Sequence, residues 1–161
     1  MKVERYERYF LIVVAVFLGL AIGALVATVT QDHASLPEPS DRVDPQLVRS
    51  TPPFDAPGVR ELDNGEYEVV IVAQAWQWDP VEVTLPVGAT ANLRVTSVDV
   101  VHGMRVPDTN VNAMVIPGQV TEVTVTFDEA KDYSLICHEY CGIGHHNMGG
   151  VFHIVDEESA P

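Results

Sequence analysis

An uncharged apolar run near the start of the chain restricts the possible folds more than any other feature. No residue between Arg8 and Asp32 is charged, and Leu, Ile, Val, Ala and Phe dominate the run. About 20 consecutive apolar residues span a bilayer as a helix, whereas the apolar core of a secretory signal is commonly ~7–15 residues long. We therefore predict a cytoplasmic N-terminus and a single transmembrane helix within residues 1–31.

The charges on either side of this run predict its orientation. Lys2, Arg5 and Arg8 precede it, and few basic residues follow it closely. Because basic residues stay on the cytoplasmic side, we expect the rest of the chain on the outer side of a cell membrane. Of the 23 acidic residues 21 follow Gln31, so the exported part is the acidic part.

The formal net charge of −14 argues against one class of partner and leaves two explanations open. An acidic surface repels phosphates, so we expect no nucleic-acid partner. The charge either keeps the domain soluble, for example in a salty medium, or steers a cationic partner towards it.

The segment that follows the apolar run is rich in proline. Proline at this density disfavours helices and central strands, so we predict an extended linker over residues 32–60 that wraps over a partner subunit or spaces the domain from the bilayer. Its prolines are Pro37, Pro39, Pro45, Pro52, Pro53 and Pro57.

Residues 61–161 show the period-two alternation of β-strands instead. Turn signals such as Asp63-Asn64-Gly65 and Pro117-Gly118 separate the alternating runs. Many short strands at close spacing predict an all-β sandwich or barrel. The predicted strands cover residues 66–78, 81–85, 91–96, 123–127, 133–137 and 151–155. His102 follows the mostly apolar residues Val98 to Val101 and lies at the end of a predicted strand.

One twelve-residue stretch concentrates metal-binding side chains. Residues 137–148 carry two thiols, three imidazoles, a carboxylate and a thioether, and Cys137 and Cys141 are the only cysteines in the chain. His145 and Met148 follow at short spacing, and His102 is the candidate for a further ligand from a neighbouring strand. Soft and borderline ligands in one loop are typical of copper and, less often, of zinc.

Four kinds of site compete for these residues. A disulfide would use the two cysteines alone, and a tetrahedral Cys2His2 zinc site would have no use for Met148. A mononuclear blue-copper site needs only one cysteine. A binuclear copper site bridged by both thiolates uses every ligand, and it leaves no open position for a substrate, so it would transfer electrons rather than catalyse.

The motif Cys-x-Glu-x-Cys-Gly-x-x-His-x-x-Met, with Asp-Val-Val-His upstream, resembles the CuA site of subunit II of the haem-copper terminal oxidases (cytochrome c oxidase). The single apolar helix and the residues Arg42-Val43-Asp44-Pro45 resemble the short ba-type branch of that family. The resemblance implies a cupredoxin-like Greek-key β-barrel or sandwich. It also implies the copper ligands: His102, Cys137, Glu139 through its backbone carbonyl, Cys141, His145 and Met148.

Further roles follow from the same resemblance. Trp76 matches the aromatic residue at the electron-entry surface, and Glu7 matches a carboxylate at the mouth of a proton-uptake path. Members of the ba-type branch often lack an acidic residue at the position of Glu139. In the other branch, the acidic side chain at this position helps to hold magnesium at the boundary with subunit I. Whether Glu139 has that role here stays open.

The implied function is electron entry into a membrane respiratory oxidase. A soluble donor, either cytochrome c or a blue-copper protein, would reduce a binuclear copper centre by one electron. The electron would pass to haem in subunit I, where oxygen is reduced to water and protons are pumped. The alternatives are a membrane-anchored blue-copper carrier and an anchored domain with a structural zinc or disulfide.

Overall fold

The computed structural model describes residues 4–31 and 40–156. Residues 32–39 of the predicted linker lie outside the described residues. The chain forms two compact units, one containing the helix and the other containing all the strands of the described residues.

The first unit is the apolar helix α1, Arg5–Gln31. At 1.5 Å per residue its 27 residues extend for about 40 Å, more than the ~30 Å hydrocarbon core of a bilayer. From Arg5 to Thr28 none of its side chains is buried, and its most apolar window has a mean hydropathy of 2.9. The predicted helix is therefore confirmed as one that is long and apolar enough to cross a membrane.

The second unit is a sandwich of two five-stranded sheets, as the alternating sequence pattern predicts. The first sheet has the order β1-β2-β5-β8, with β3 paired to β2, and the second has the order β4-β10-β9-β6-β7. The pairs β2–β5 and β4–β10 are parallel, and the other pairs are antiparallel. The strands are β1 Gly58–Glu61, β2 Tyr67–Gln74, β3 Gln77–Asp79, β4 Glu82–Pro86, β5 Thr90–Ser97, β6 His102–Arg105, β7 Asn112–Val115, β8 Thr121–Thr126, β9 Asp132–Cys137 and β10 Gly149–Val155.

The main core lies between the two sheets. Alternate residues of β4, β5 and β9 point into it, and aromatic side chains fill its middle, where Phe127 packs on Tyr133 and Phe152 at ring-centroid distances of 5.1 and 5.3 Å. Trp78 is fully buried in the same core. At one end of this core the cluster continues into Cys137, Cys141 and Met148, so the candidate ligands are rooted in packed structure.

A second, smaller apolar cluster forms where the proline-rich segment covers the first sheet. We call residues 40–57 the strap. Asp41 bridges to Val120, and a short 3₁₀ helix at Val48–Ser50 is followed by the buried ring of Phe54. These residues pack on the outward side of β2, which explains why residues 69–73 form one uninterrupted buried run.

Two of the predicted strand boundaries are wrong, and both errors lie beside the candidate site. The pattern over residues 66–78 predicts one strand, but the chain turns at Ala75 and Trp76, so that β2 and β3 form a hairpin. His102 was expected to end a strand, but β5 ends at Ser97, the chain bends, and His102 begins β6. Side chains of the bend bond to its own backbone, and such local bonds compete with the strand ladder.

Candidate metal centre

Three strand ends bring the candidate ligands together at one end of the sandwich. His102 begins β6, Cys137 ends β9, and the intervening loop returns to β10 just after Met148. Strands β6 and β9 are paired, with Met104 opposite Cys137, so the first histidine lies beside the first cysteine although 35 residues separate them. We call residues 138–148 the ligand loop.

The two thiols occupy the middle of the cluster. The Sγ atoms of Cys137 and Cys141 are 3.8 Å apart, well beyond the disulfide bond length of about 2.05 Å, and both residues are buried. The ligand atoms of His102, Cys137 and Cys141 all lie within 4.8 Å of one another. The structure therefore places two free thiols where they can face the same metal centre.

Each thiol has one imidazole nitrogen and one weaker donor beside it. Around Cys137, the Nδ1 atom of His102 lies 3.9 Å from Sγ, and the carbonyl oxygen of Glu139 lies 3.3 Å from it. Around Cys141, the Nδ1 atom of His145 and the Sδ atom of Met148 both lie 3.6 Å from Sγ. Two thiols, two imidazoles, a thioether and a carbonyl form a donor set that suits copper.

Burial affects the chemistry of these thiols before any metal is bound. Loss of water raises the pKa of the Cys141 thiol to about 11, and the neighbouring Cys137 adds to the rise. Because metals bind the thiolate form, binding of a metal ion here must displace protons.

Backbone hydrogen bonds hold the ligand loop against the two sheets. The His138 N–H donates to the Gly103 carbonyl at 3.0 Å, and the Cys137 N–H donates to the Met148 carbonyl at 3.3 Å. A one-turn 3₁₀ helix at His145–Asn147 then presents His145 and Met148 towards the same thiol. These bonds hold the ligand loop against the start of β6 and fold its two ends together.

Trp76 lies directly on the ligand loop. Its Nε1–H donates to the Cys141 carbonyl at 3.2 Å, and 44% of the residue is exposed. Its ring packs so closely on Gly144 that a Cβ atom there would lie 2.4 Å from it. Trp76 is therefore both accessible to a partner and in contact with a backbone group of a candidate ligand.

The two remaining predicted carboxylates have different surroundings. The Glu139 side chain is half-buried and accepts a hydrogen bond from the Tyr140 N–H at 3.3 Å. Glu7 is exposed in the first turn of α1, where it accepts a hydrogen bond from the Glu4 N–H at 3.3 Å. Glu7 belongs to the helical unit and Glu139 to the ligand loop.

The structure adds one residue that the sequence analysis did not assign, Asp99. Its Oδ1 atom lies 3.0 Å from Nε2 of the buried His102, and its carboxylate also accepts backbone N–H bonds from Ala75 and Val100, each at 2.6 Å. Burial raises the pKa of Asp99, but these hydrogen bonds outweigh it and hold the pKa below its usual value. The signal in the sequence is an Asp three residues before the candidate ligand His102, in a segment with Asx-turn character.

Comparison with known proteins identifies relatives of the whole architecture. The family described as "Cytochrome C oxidase subunit II, periplasmic domain" matches residues 60–155. A cytochrome c oxidase subunit 2 of Thermus thermophilus is 38% identical over 132 residues, which cover 79% of each chain. An alternative cytochrome c oxidase subunit 2 of Bradyrhizobium diazoefficiens is 29% identical over 125 residues, covering 77% of this chain and 42% of that one.

Solved structures agree with these relatives. A chain of a haem-copper terminal oxidase dimer superposes with a TM-score of 0.60 at 30% identity, covering 93% of this chain and 99% of that chain. The periplasmic domain of subunit II of the Bradyrhizobium japonicum cytochrome oxidase superposes with a TM-score of 0.53 at 20% identity, covering 56% of this chain and 85% of that one, and it confirms the cupredoxin-like fold. The match with the Thermus relative covers the same share of both chains, so the two chains are similar in length, which fits the short branch of the family.

Proposed function

We propose, from the premise that this chain belongs to the cytochrome c oxidase subunit II family, that it is the electron-entry subunit of a membrane respiratory oxidase. A soluble donor, cytochrome c or a blue-copper protein, supplies single electrons, which pass to haem in subunit I. Oxygen is reduced to water there, with proton pumping, and not in this chain.

The observation that carries the proposal is the symmetric distribution of donors around two buried thiols. Each sulfur has its own imidazole nitrogen within 3.9 Å and its own weak donor within 3.6 Å. A mononuclear site would leave one cysteine without a function. We therefore assign a binuclear copper centre to His102, Cys137, Glu139 (carbonyl), Cys141, His145 and Met148.

A pair of copper ions held by these six residues would supply one-electron chemistry. The chain provides a rigid, largely water-excluding site: His102 is 0% exposed, Cys137 4%, Cys141 6% and Met148 3%. Rigid ligands change little when the charge of the centre changes, which favours rapid electron transfer.

Trp76 is the proposed electron-entry residue. Its exposed ring lies on the ligand loop and is hydrogen-bonded to the backbone of Cys141. Three more exposed apolar side chains lie in the segments that contact this turn: Val100, next to Asp99, is 42% exposed, and Tyr140 and Ile143 of the ligand loop are 73% and 86% exposed. An apolar donor surface suits such a patch, whereas the acidic composition favours a basic donor, so both donor classes remain in the proposal.

The membrane topology that we propose rests on α1 and the basic residues at its start. We propose that α1 crosses the lipid bilayer once, with Arg5 and Arg8 on the cytoplasmic side and the copper domain on the outer side. Subunit I is the membrane partner. Glu7, at the start of α1, is proposed as the carboxylate of a proton-uptake path.

Magnesium near Glu139 is a separate proposal. Glu139 lies two residues from both Cys137 and Cys141, and its side chain is half-buried. The other magnesium ligands would come from subunit I.

Electron paramagnetic resonance of the copper-loaded full chain in detergent tests the metal assignment. One unpaired electron shared by two copper nuclei gives more hyperfine lines than a single copper nucleus gives. A single-copper pattern would instead support the anchored blue-copper carrier. Binding of zinc with no paramagnetic signal from copper would contradict the redox function.

Replacement of Trp76 tests the entry route. We expect Trp76→Ala to slow donor oxidation several-fold while the copper spectrum stays that of the wild type. Leu47→Ala is the matched control, because Leu47 is 54% exposed and lies on the strap. An unchanged rate in Trp76→Ala would show that electrons enter elsewhere.

A further inference from the structure

The carboxylate of Asp99, in the bend before β6, contacts four different polar groups. Its Oδ1 atom accepts the Val100 N–H at 2.6 Å and lies 3.2 Å from the Ser97 hydroxyl and 3.0 Å from Nε2 of His102. Its Oδ2 atom accepts the Ala75 N–H at 2.6 Å. One carboxylate therefore connects the bend before β6 with the hairpin turn between β2 and β3.

The contact with His102 determines which ring nitrogen carries the proton. An ionised carboxylate only accepts hydrogen bonds, so the His102 atom that faces it, Nε2, must carry the hydrogen. Nδ1 then keeps a free lone pair, and Nδ1 is the atom that lies 3.9 Å from the Cys137 sulfur. Since His102 is 0% exposed, no water competes for Nε2.

The hydrogen bond from Ala75 also connects Asp99 to the turn that carries Trp76, the proposed electron-entry residue. Ala75 precedes Trp76 in the turn, and the Trp76 indole donates in turn to the Cys141 carbonyl. Asp99 is thus bonded to the element that carries Trp76 and to a candidate ligand of the metal centre. Among the described residues, no other carboxylate is hydrogen-bonded to both.

We propose that Asp99 is the positioning residue of this centre: it holds His102 in the Nε2–H form, with Nδ1 directed at the metal, and anchors the turn that carries Trp76. The proposal rests on the copper site proposed above. Carboxylates that orient metal-bound histidines are a general device of metal sites, because they select the tautomer and strengthen the ligand.

A measurement on the metal-free chain tests the tautomer directly. The full chain in detergent, labelled with nitrogen-15, is examined by NMR near pH 8.5, about two units above the usual pKa of histidine. In the wild type we expect the His102 signals to show Nε2 protonated and Nδ1 bare. In Asp99→Ala we expect a mixture of tautomers.

The chain offers a matched control. Asp132 pairs with Nδ1 of His153 at 2.7 Å, and Asp132 lies at the opposite end of β9 from Cys137. Asp132→Asn removes an aspartate–histidine pair that touches no candidate ligand, and it should leave the His102 signals unchanged. A His102 tautomer that is the same in Asp99→Ala as in the wild type would overturn the proposal.

A second measurement uses the copper-loaded chain and does not depend on Asp99→Ala folding. Asp99→Asn removes a negative charge next to His102 while keeping the size of the side chain. Because negative charge stabilises the oxidised, more positive centre, we expect the reduction potential to rise in Asp99→Asn and to stay constant in Asp132→Asn. A potential unchanged in both variants would overturn the proposal.

The two measurements separate this inference from the function on which it rests. The tautomer is read without copper, and the number of copper ions is read from the wild-type hyperfine pattern. If the wild type shows a single-copper pattern and the tautomer still depends on Asp99, the binuclear assignment fails while Asp99 keeps its positioning role.

Discussion

The two sulfur atoms at the centre of the site lie side by side in a nearly water-free environment, and this controls their protonation. Burial raises the pKa of Cys141 to about 11, so at pH 7 its thiol keeps its proton. The copper ion that we propose for this site would compete for the same sulfur. Copper affinity must therefore fall as pH falls, because the proton then competes more effectively.

Proton release on copper binding is the resulting prediction. We expect the metal-free chain in weak buffer at pH 7 to release a proton from Cys141 when copper is added, as measured with a pH indicator. Cys141→Ser should release about one proton fewer, since a serine hydroxyl has no comparable tendency to ionise. Equal release from the two proteins would show that Cys141 is not a ligand.

Glycine is required at one position of the ligand loop because the Trp76 ring occupies the space of a side chain. At Gly144 a Cβ atom would lie 2.4 Å from the ring, and at Gly149 it would meet only a carbonyl oxygen, 3.7 Å away. Gly144→Ala should displace either the ring or the loop. We expect a loss of stability of about 1–3 kcal/mol, typical of overpacking, and an altered copper spectrum.

Gly149→Ala is the matched control for this variant. It should change the midpoint of thermal unfolding only slightly and leave the spectrum as in the wild type. If Gly144→Ala behaves like Gly149→Ala, the close packing of Trp76 on the loop does not hold in solution.

At the scale of elements, the strap is an integral part of the domain. Val48 and Phe54 are 0% and 2% exposed, and with Val43 they cover the outward face of β2. The strap also reaches the β2–β3 hairpin, because Arg49 forms an ion pair with Asp79 and donates to the Gln74 side chain. The hairpin that presents Trp76 is thus supported from outside the main core.

Removal of the strap's aromatic anchor should therefore destabilise the β-sandwich domain. We expect Phe54→Ala to lower the free energy of unfolding by about 3–5 kcal/mol, the usual cost of deleting a buried phenylalanine ring. Leu47→Ala, an exposed neighbour on the strap, should change it by less than about 0.5 kcal/mol. Similar values for the two variants in denaturant unfolding would mean that the strap is not packed as described.

At the scale of the whole molecule, negative charge dominates. Past Gln31 the chain has 21 acidic residues and 6 basic ones. Some basic groups are used in a ladder across the first sheet, in which Arg60 and Arg94 both pair with Glu68 and Arg94 also pairs with Glu122. Most of the acidic groups therefore repel one another, which opposes the compact state.

Salt should consequently stabilise the domain. The screening length falls from about 10 Å at 0.1 M salt to about 3 Å at 1 M, so repulsion between surface carboxylates is largely removed. We expect the midpoint of thermal unfolding of the β-sandwich domain to rise between these concentrations of sodium chloride. A midpoint that falls with added salt would show that the ion pairs outweigh the repulsion.

The features that the sequence determined by itself are those with a local physical cause. The apolar run of α1 predicts a helix because its length and lack of charge need no tertiary partner. Alternation in β4, β5 and β9 predicts strands because one face of each is buried. The candidate ligands between Cys137 and Met148 can be recognised in the sequence because they all lie within one stretch of twelve residues.

What only the tertiary structure decided depends on contacts between segments far apart in sequence. The predicted strand over residues 66–78 is interrupted because Asp99 bonds to Ala75 and Trp76 packs on Gly144. The covering of β2 by Phe54, and the role of Asp99 beside His102, depend likewise on partners that are distant along the chain. The pattern of residues along one segment contains no information about such partners, because the contacts contribute free energy only when folding brings the two segments together.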